Sequence, residues 1–111
     1  QTTALICYND LTAVGALRGA RALGWNVPGD VSVVGFDDIE LAPYVDPPLT
    51  TVRQDTTAMG AWAVSTLLAL IGRHPADDAA DVPAVTTQRI PVSLVEREST
   101  GPPRADHGAT R

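Results

Sequence analysis

The chain has 111 residues, 44% of them hydrophobic, and carries eight arginines and no lysine against 13 acidic residues, for a formal net charge of -5. That length allows one ordinary domain or a piece of a larger one. The acidic balance, with no basic patch, argues against this stretch holding nucleic acid or an anionic membrane by itself. Cys7 is the single cysteine, so there is no internal disulfide framework, and no apolar run approaches membrane-spanning length.

Gln1 stands in place of methionine and a strand follows almost at once, which is expected of a segment beginning inside a longer polypeptide; no signal segment opens it. Ala4 to Tyr8 reads as a first buried strand, which makes Cys7 a buried, inert thiol. Asn9-Asp10 ends it, and both are good helix caps. The helix from Leu11 to Leu23 has Leu11, Val14, Leu17 and Ala20 or Arg21 on one stripe. Gly24 fits a left-handed stop and Pro28 prevents a restart. Val31 to Phe36, rich in β-branched residues and without alternation, predicts a strand buried on both faces of a parallel sheet. Strand, helix, strand in so short a space is a βαβ unit.

After Asp38 the pattern changes. Ile39 to Asp46 predicts a short helix or turn limited by Pro43, and Pro47-Pro48 forces extended backbone before a third strand, Leu49 to Val52. Asp55 or Thr56 caps a second helix to about Ile71, with Met59, Trp62 or Ala63, Leu67 and Leu70 as its expected buried stripe and Gly72 with Pro75 closing it. Ala76 to Pro83 reads as an acidic surface loop. Val85 to Arg89 and Val92 to Val95 read as a strand pair or one bent strand, and the polar stretch from Ser99 onward as a disordered tail.

The chemistry sits where strands end, because ligands in open α/β sheets bind beyond the carboxyl ends of the strands. Asp37 and Asp38 follow one strand and Asn9-Asp10 its neighbour. The two acids admit three readings: a metal or acid/base pair, a ligand-binding pair, or loop caps. A metal needs more ligands than His74 and His107 promise. Amide and carboxylate at adjacent strand ends suit vicinal hydroxyls, as on a neutral sugar. Asp10 is expected first as an N-cap, which leaves Asn9 and Asp37 as the better ligand contacts. Arg53 and Gln54 either line the same edge or mark the exit of the chain from the sheet, and Trp62 reads as core. There is no nucleophile elbow, phosphate-cradling glycine loop or metal-spaced His or Cys set, so neither an enzyme nor a cofactor is expected.

In order and spacing, Asn9 to Leu17, Gly24 with Val27 to Asp38, Pro48 to Asp55, Met59-Gly60 and Leu94 to Thr100 together resemble the effector-binding core of the lactose/galactose-repressor (LacI/GalR) family. The resemblance implies an α/β, parallel-sheet fold of the periplasmic-binding-protein-like type I, three-layer αβα, here an incomplete fragment. It implies that residues 1–53 belong to the C-terminal effector-binding subdomain and 54–91 to the N-terminal subdomain. Residues 92–98 would return to the first, and 99–111 would form the tail. Ligand contacts carried across are Asn9 and Asp37, with Asp10 and Asp38 shaping the loops beside them and Gln54 at the same edge. Leu11, Val14, Arg18, Leu41, Tyr44 and Val45 fall where the family forms its homodimer. The implied protein is a cytoplasmic transcriptional repressor with a sugar-like effector. It would reach operator DNA through an N-terminal helix-turn-helix that this stretch lacks, with no metal, cofactor or membrane partner. The alternative on the same fold is a periplasmic sugar-binding protein of a transport system.

Overall fold

A computed structural model describes residues 2–71 and 87–103. Within them the chain forms β1 (Ala4–Ile6), α1 (Asp10–Ala22), β2 (Ser32–Asp37), a 3-10 turn (Ala42–Tyr44), β3 (Thr50–Gln54), α2 (Thr56–Ile71) and β4 (Val92–Val95). Contacts divide it into two compact units. One contains the chain up to Arg53 and again from Val92 onward; the other is Gln54–Pro91.

In the first unit the strands form one sheet in the order β1-β2-β3-β4. β1 pairs with β2 in parallel, Leu5 beside Val33, and β2 with β3 in parallel, Asp37 beside Arg53. β1, α1 and β2 are therefore the expected βαβ unit. Asn9 caps α1, its Oδ1 accepting from the Thr12 backbone N–H at 2.8 Å. At the other end Gly24 takes φ 74°, while the Trp25 N–H reaches the Ala20 carbonyl and the Gly24 N–H that of Arg21. This paired closure is one that a residue without Cβ adopts without strain.

The core is built from Ala13, Leu17, Val33, Ala42 and Leu49, between α1, β2 and the turn. The buried stripe of α1 is Asp10, Ala13, Leu17 and Ala20, one residue out of phase with the expected Leu11 and Val14. Leu11 is 67% exposed. The phase is set by Asp10, whose side chain is drawn inward by partners described below. β1, expected to be buried, is exposed at all three positions, and Cys7 is half-buried. β1 lies at one edge of the sheet, with α1 covering β2 rather than β1 alone. Partial burial still pushes the Cys7 thiol above its ordinary pKa, which keeps it protonated and a poor nucleophile near neutrality.

The tail expectation fails at its start. Ser99 is completely buried. Its hydroxyl donates to the Val33 carbonyl at 2.6 Å and accepts from the Thr50 N–H at 2.8 Å, while its carbonyl accepts from the Val33 N–H at 2.8 Å. Gly101 bonds to the Ser32 hydroxyl through both its N–H and its carbonyl. The polar residues that look like a disordered end in the sequence satisfy backbone groups of β2 and β3 instead.

In the second unit α2 begins where Asp55 Oδ1 accepts from the Ala58 N–H at 2.8 Å. None of its side chains is buried among the described residues; Met59, Leu67 and Leu70, expected to be core, are exposed, and Trp62 is half-buried. Among the described residues of this unit α2 is the one regular element, and a lone helix has no second apolar surface to bury its stripe against. The expected helix stop at Gly72 and Pro75, the Ala76–Pro83 loop, the start of the Val85 strand and residues from 104 onward lie outside the described residues. Residues 87–91 are not strand.

Candidate ligand site at the strand ends

Parallel pairing of β1 with β2 sets Asn9 and Asp37 at the same, carboxyl edge of the sheet, with Arg53 and Gln54 closing β3 beside Asp37. Asn9 is half-buried, and its Oδ1 also accepts from the Thr12 hydroxyl at 2.8 Å. With that oxygen committed to the cap, its amide nitrogen is what it can offer a ligand, as a donor. Asp37 is half-buried at φ 117°, and Asp38 follows at φ 56°. An aspartate tolerates the second conformation. The first lies outside the left-handed basin and costs on the order of 1–3 kcal/mol, a strain that clusters at functional sites.

Asp10 and Asp38 have different employments. Asp10 is completely buried rather than capping α1, a role Asn9 takes. Its Oδ1 accepts from the Thr51 hydroxyl at 2.5 Å and its Oδ2 from the Ile39 N–H at 2.9 Å, so it stitches the start of α1 to β3 and to the loop after β2. The Asp38 carboxylate, 7% exposed, accepts from Arg53 Nε at 2.5 Å and from Arg97 Nη2 at 2.7 Å. Burial pushes its pKa up, but the hydrogen bonds and charges of Arg97 and Arg53 outweigh that and hold the carboxyl below its ordinary value. Both acids thus spend their oxygens on the protein. Asp37 is the carboxylate set at the edge itself. Among the described residues no group of three or more His, Cys, Asp and Glu could hold a metal ion.

The sequence reading missed Arg97 and the role of Gly35. A Cβ on Gly35 would collide with the Asp10 carboxylate and lie 3.0 Å from Leu49 Cδ2, so glycine here is what lets the acid lie against β2. Gly35→Ala is expected to cost about 1–3 kcal/mol by overpacking, read as a lower urea midpoint at unchanged slope. The only signal in the sequence was a glycine inside a strand, which often marks close approach of another group.

The family described as periplasmic binding protein-like domain matches residues 1–100. The chain belongs to that family. Among its relatives, the HTH-type transcriptional regulator MalR of Streptomyces coelicolor is 60% identical over 74 residues, 67% of this chain and 22% of the relative. The HTH-type transcriptional regulator GalR of Escherichia coli is 40% identical over 110 residues, 97% of this chain and 30% of the relative. Among solved structures, the Lac repressor bound to ONPG superposes with a TM-score of 0.73 at 40% identity, over 88% of this chain and 27% of that one. A LacI family transcriptional regulator from Enterococcus faecalis with bound ribose superposes with a TM-score of 0.77 at 36% identity, over 92% of this chain and 36% of that one. The chain thus spans roughly a fifth to a third of the length of these proteins, which are regulators of the LacI/GalR type and not enzymes. No helix among the described residues is long and apolar enough to cross a membrane.

Proposed function

We propose that this chain is the effector-sensing and dimerising part of a LacI/GalR-type transcriptional repressor, with a sugar or sugar-like ligand held at the carboxyl edge of β1 and β2. The observation that carries this is the placement of Asn9 and Asp37 at the ends of neighbouring parallel strands, in a chain whose relatives are HTH-type regulators. An amide donor beside a carboxylate acceptor matches adjacent sugar hydroxyls, and hydrogen bonds to a charged group contribute about 1.5–3 kcal/mol each. Gln54, the last residue of β3, is the third ligand contact in this reading. Asp10 and Asp38 serve the ligand indirectly, by shaping the loops on either side.

Leu11, Arg18, Leu41 and Tyr44 are exposed, Tyr44 at 82%, and Val14 and Val45 are half-buried. They form the homodimer surface in this reading. Operator DNA is reached through a helix-turn-helix N-terminal to this stretch, in the cytoplasm, and no reaction is catalysed. Ligand acts by population shift, binding one closure state of the core better than the other, since equal affinity for both shifts nothing.

The test is Asp37→Ala in the intact protein, titrated with D-galactose, D-glucose, D-ribose and sucrose by thermal shift and by operator release. The variant keeps operator affinity, and its response to whichever sugar acts on the wild type weakens by about tenfold or more, the equivalent of one charge-assisted hydrogen bond. A variant that responds like the wild type overturns the site; a wild type indifferent to all four sugars overturns this choice of ligand class.

A further inference from the structure

Asp38 joins parts of the chain far apart in sequence. Arg53, which grips its Oδ2, is the last residue of the first unit before the chain passes into the second. Arg97, which grips its Oδ1, follows β4, the strand on which the chain comes back at Val92. Arg97 is itself anchored at the start of β3, its Nη1 donating to the Leu49 carbonyl at 2.8 Å and its backbone N–H to the Thr50 hydroxyl at 2.9 Å. One carboxylate is therefore tied to both ends of β3 and to the returning strand.

The loop held this way is the strained one. The Asp38 N–H donates to the Thr51 hydroxyl at 3.4 Å and the Ile39 N–H to Asp10 at 2.9 Å. The residue before them, Asp37, keeps φ 117° without being glycine. Such a conformation persists only where the surroundings over-determine it. Asp10 and β3 supply one side of that constraint and the two arginines the other. Neutralising one carboxylate needs a single cation, and Arg53, with its side chain 57% exposed, adds little stability as an ion pair. Its contact with the strained loop accounts better for its presence.

We infer that Arg53 and Arg97 are positioning residues which, through the Asp38 carboxylate, fix the backbone conformation of Asp37. The functional meaning of this clasp rests on the ligand role proposed for Asp37. A substitution that removes Arg53 from Asp38 relaxes the loop, and a ligand that needs the strained loop favours the clasped one.

The test is hydrogen exchange on the intact protein without ligand, comparing wild type with Arg53→Gln. The expected result is at least tenfold faster exchange at the Asp38 and Ile39 amides, with the amides of Cys7 and Ala13, bonded to Val34 and Asn9, unchanged. Arg53→Lys, which keeps a cation there, stays within about threefold of wild type. Arg97→Gln repeats the effect where it folds; where it does not, the Arg53 pair decides alone. The inference is overturned if Arg53→Gln leaves those two amides unchanged, if all amides of the unit speed up together, or if Arg53→Lys loosens the loop equally. No ligand enters this measurement, so its failure is distinct from a failure of the sugar reading, which the Asp37→Ala titration decides.

Discussion

Asp10→Ala is expected to lower the stability of the intact protein by about 2–5 kcal/mol, the cost of leaving one buried and one partly buried donor without their acceptor. The donors are the Thr51 hydroxyl, in a buried bond, and the partly buried Ile39 N–H, on separate elements, and the Asp10 side chain that joins them is completely buried. Asp10→Asn keeps the shape and one carbonyl oxygen, so it should fall between the two. The measurement is urea unfolding of the three proteins side by side. A ligand-contact role for Asp10 would give the opposite signature, with sugar response lost and the unfolding midpoint unmoved. Because Ile39 belongs to the loop that carries Asp37, the alanine variant should also lose sugar response, as a consequence of the loosened loop.

Ending the chain after Glu98 is expected to unfold the first unit. The cut removes six hydrogen bonds that Ser99, Thr100 and Gly101 make to Ser32, Val33 and Thr50. At about 0.5–1.5 kcal/mol net each, their loss amounts to about 3–9 kcal/mol, comparable with the whole stability of an ordinary domain. Ser99→Ala is the graded version. It keeps the backbone bond to the Val33 N–H but strands the Thr50 N–H and the Val33 carbonyl in a buried site, for about 1–3 kcal/mol. Circular dichroism and soluble yield read the truncation, and urea unfolding reads the point variant. A truncated chain that unfolds at the wild-type midpoint would return Ser99–Gly101 to the status of a tail.

Both results concern residues whose types were legible and whose employment was not. Asp10 reads as a cap because aspartate after a strand and before a helix usually is one. Asn9 takes the cap, and that moves Asp10 to the first helical position, facing inward. Once the acid points into the core, the first turns of α1 must follow, so Asp10 and Ala13 replace Leu11 and Val14 on the buried side, while Leu17 and Ala20 are buried as expected. Hydropathy alone prefers the leucine face, and it has no means of weighing a buried carboxylate with two donors against a leucine. Ser99 to Gly101 mislead for a related reason. Polar and glycine-rich residues look unable to contribute to a core, yet these contribute hydrogen bonds to strand groups that nothing else satisfies.

Other features needed no tertiary information. The β-branched run ending in Gly35-Phe36-Asp37-Asp38 reads as a strand with buried positions, and β2 is one, with Ser32, Val33 and Gly35 buried. The Gly24 stop, the Asp55 cap and the βαβ order follow from local backbone preferences that hold in any context, and they alone put Asn9 and Asp37 on one sheet edge. The sequence by itself thus determined which strand ends carry the polar groups, because period and turn chemistry are local. Only the tertiary structure decided how Asp10 and Asp38 are employed. They resemble Asn9 and Asp37 in type and position, and their bonds go to Thr51, Arg53 and Arg97, residues 15 to 59 positions away that no local pattern brings together.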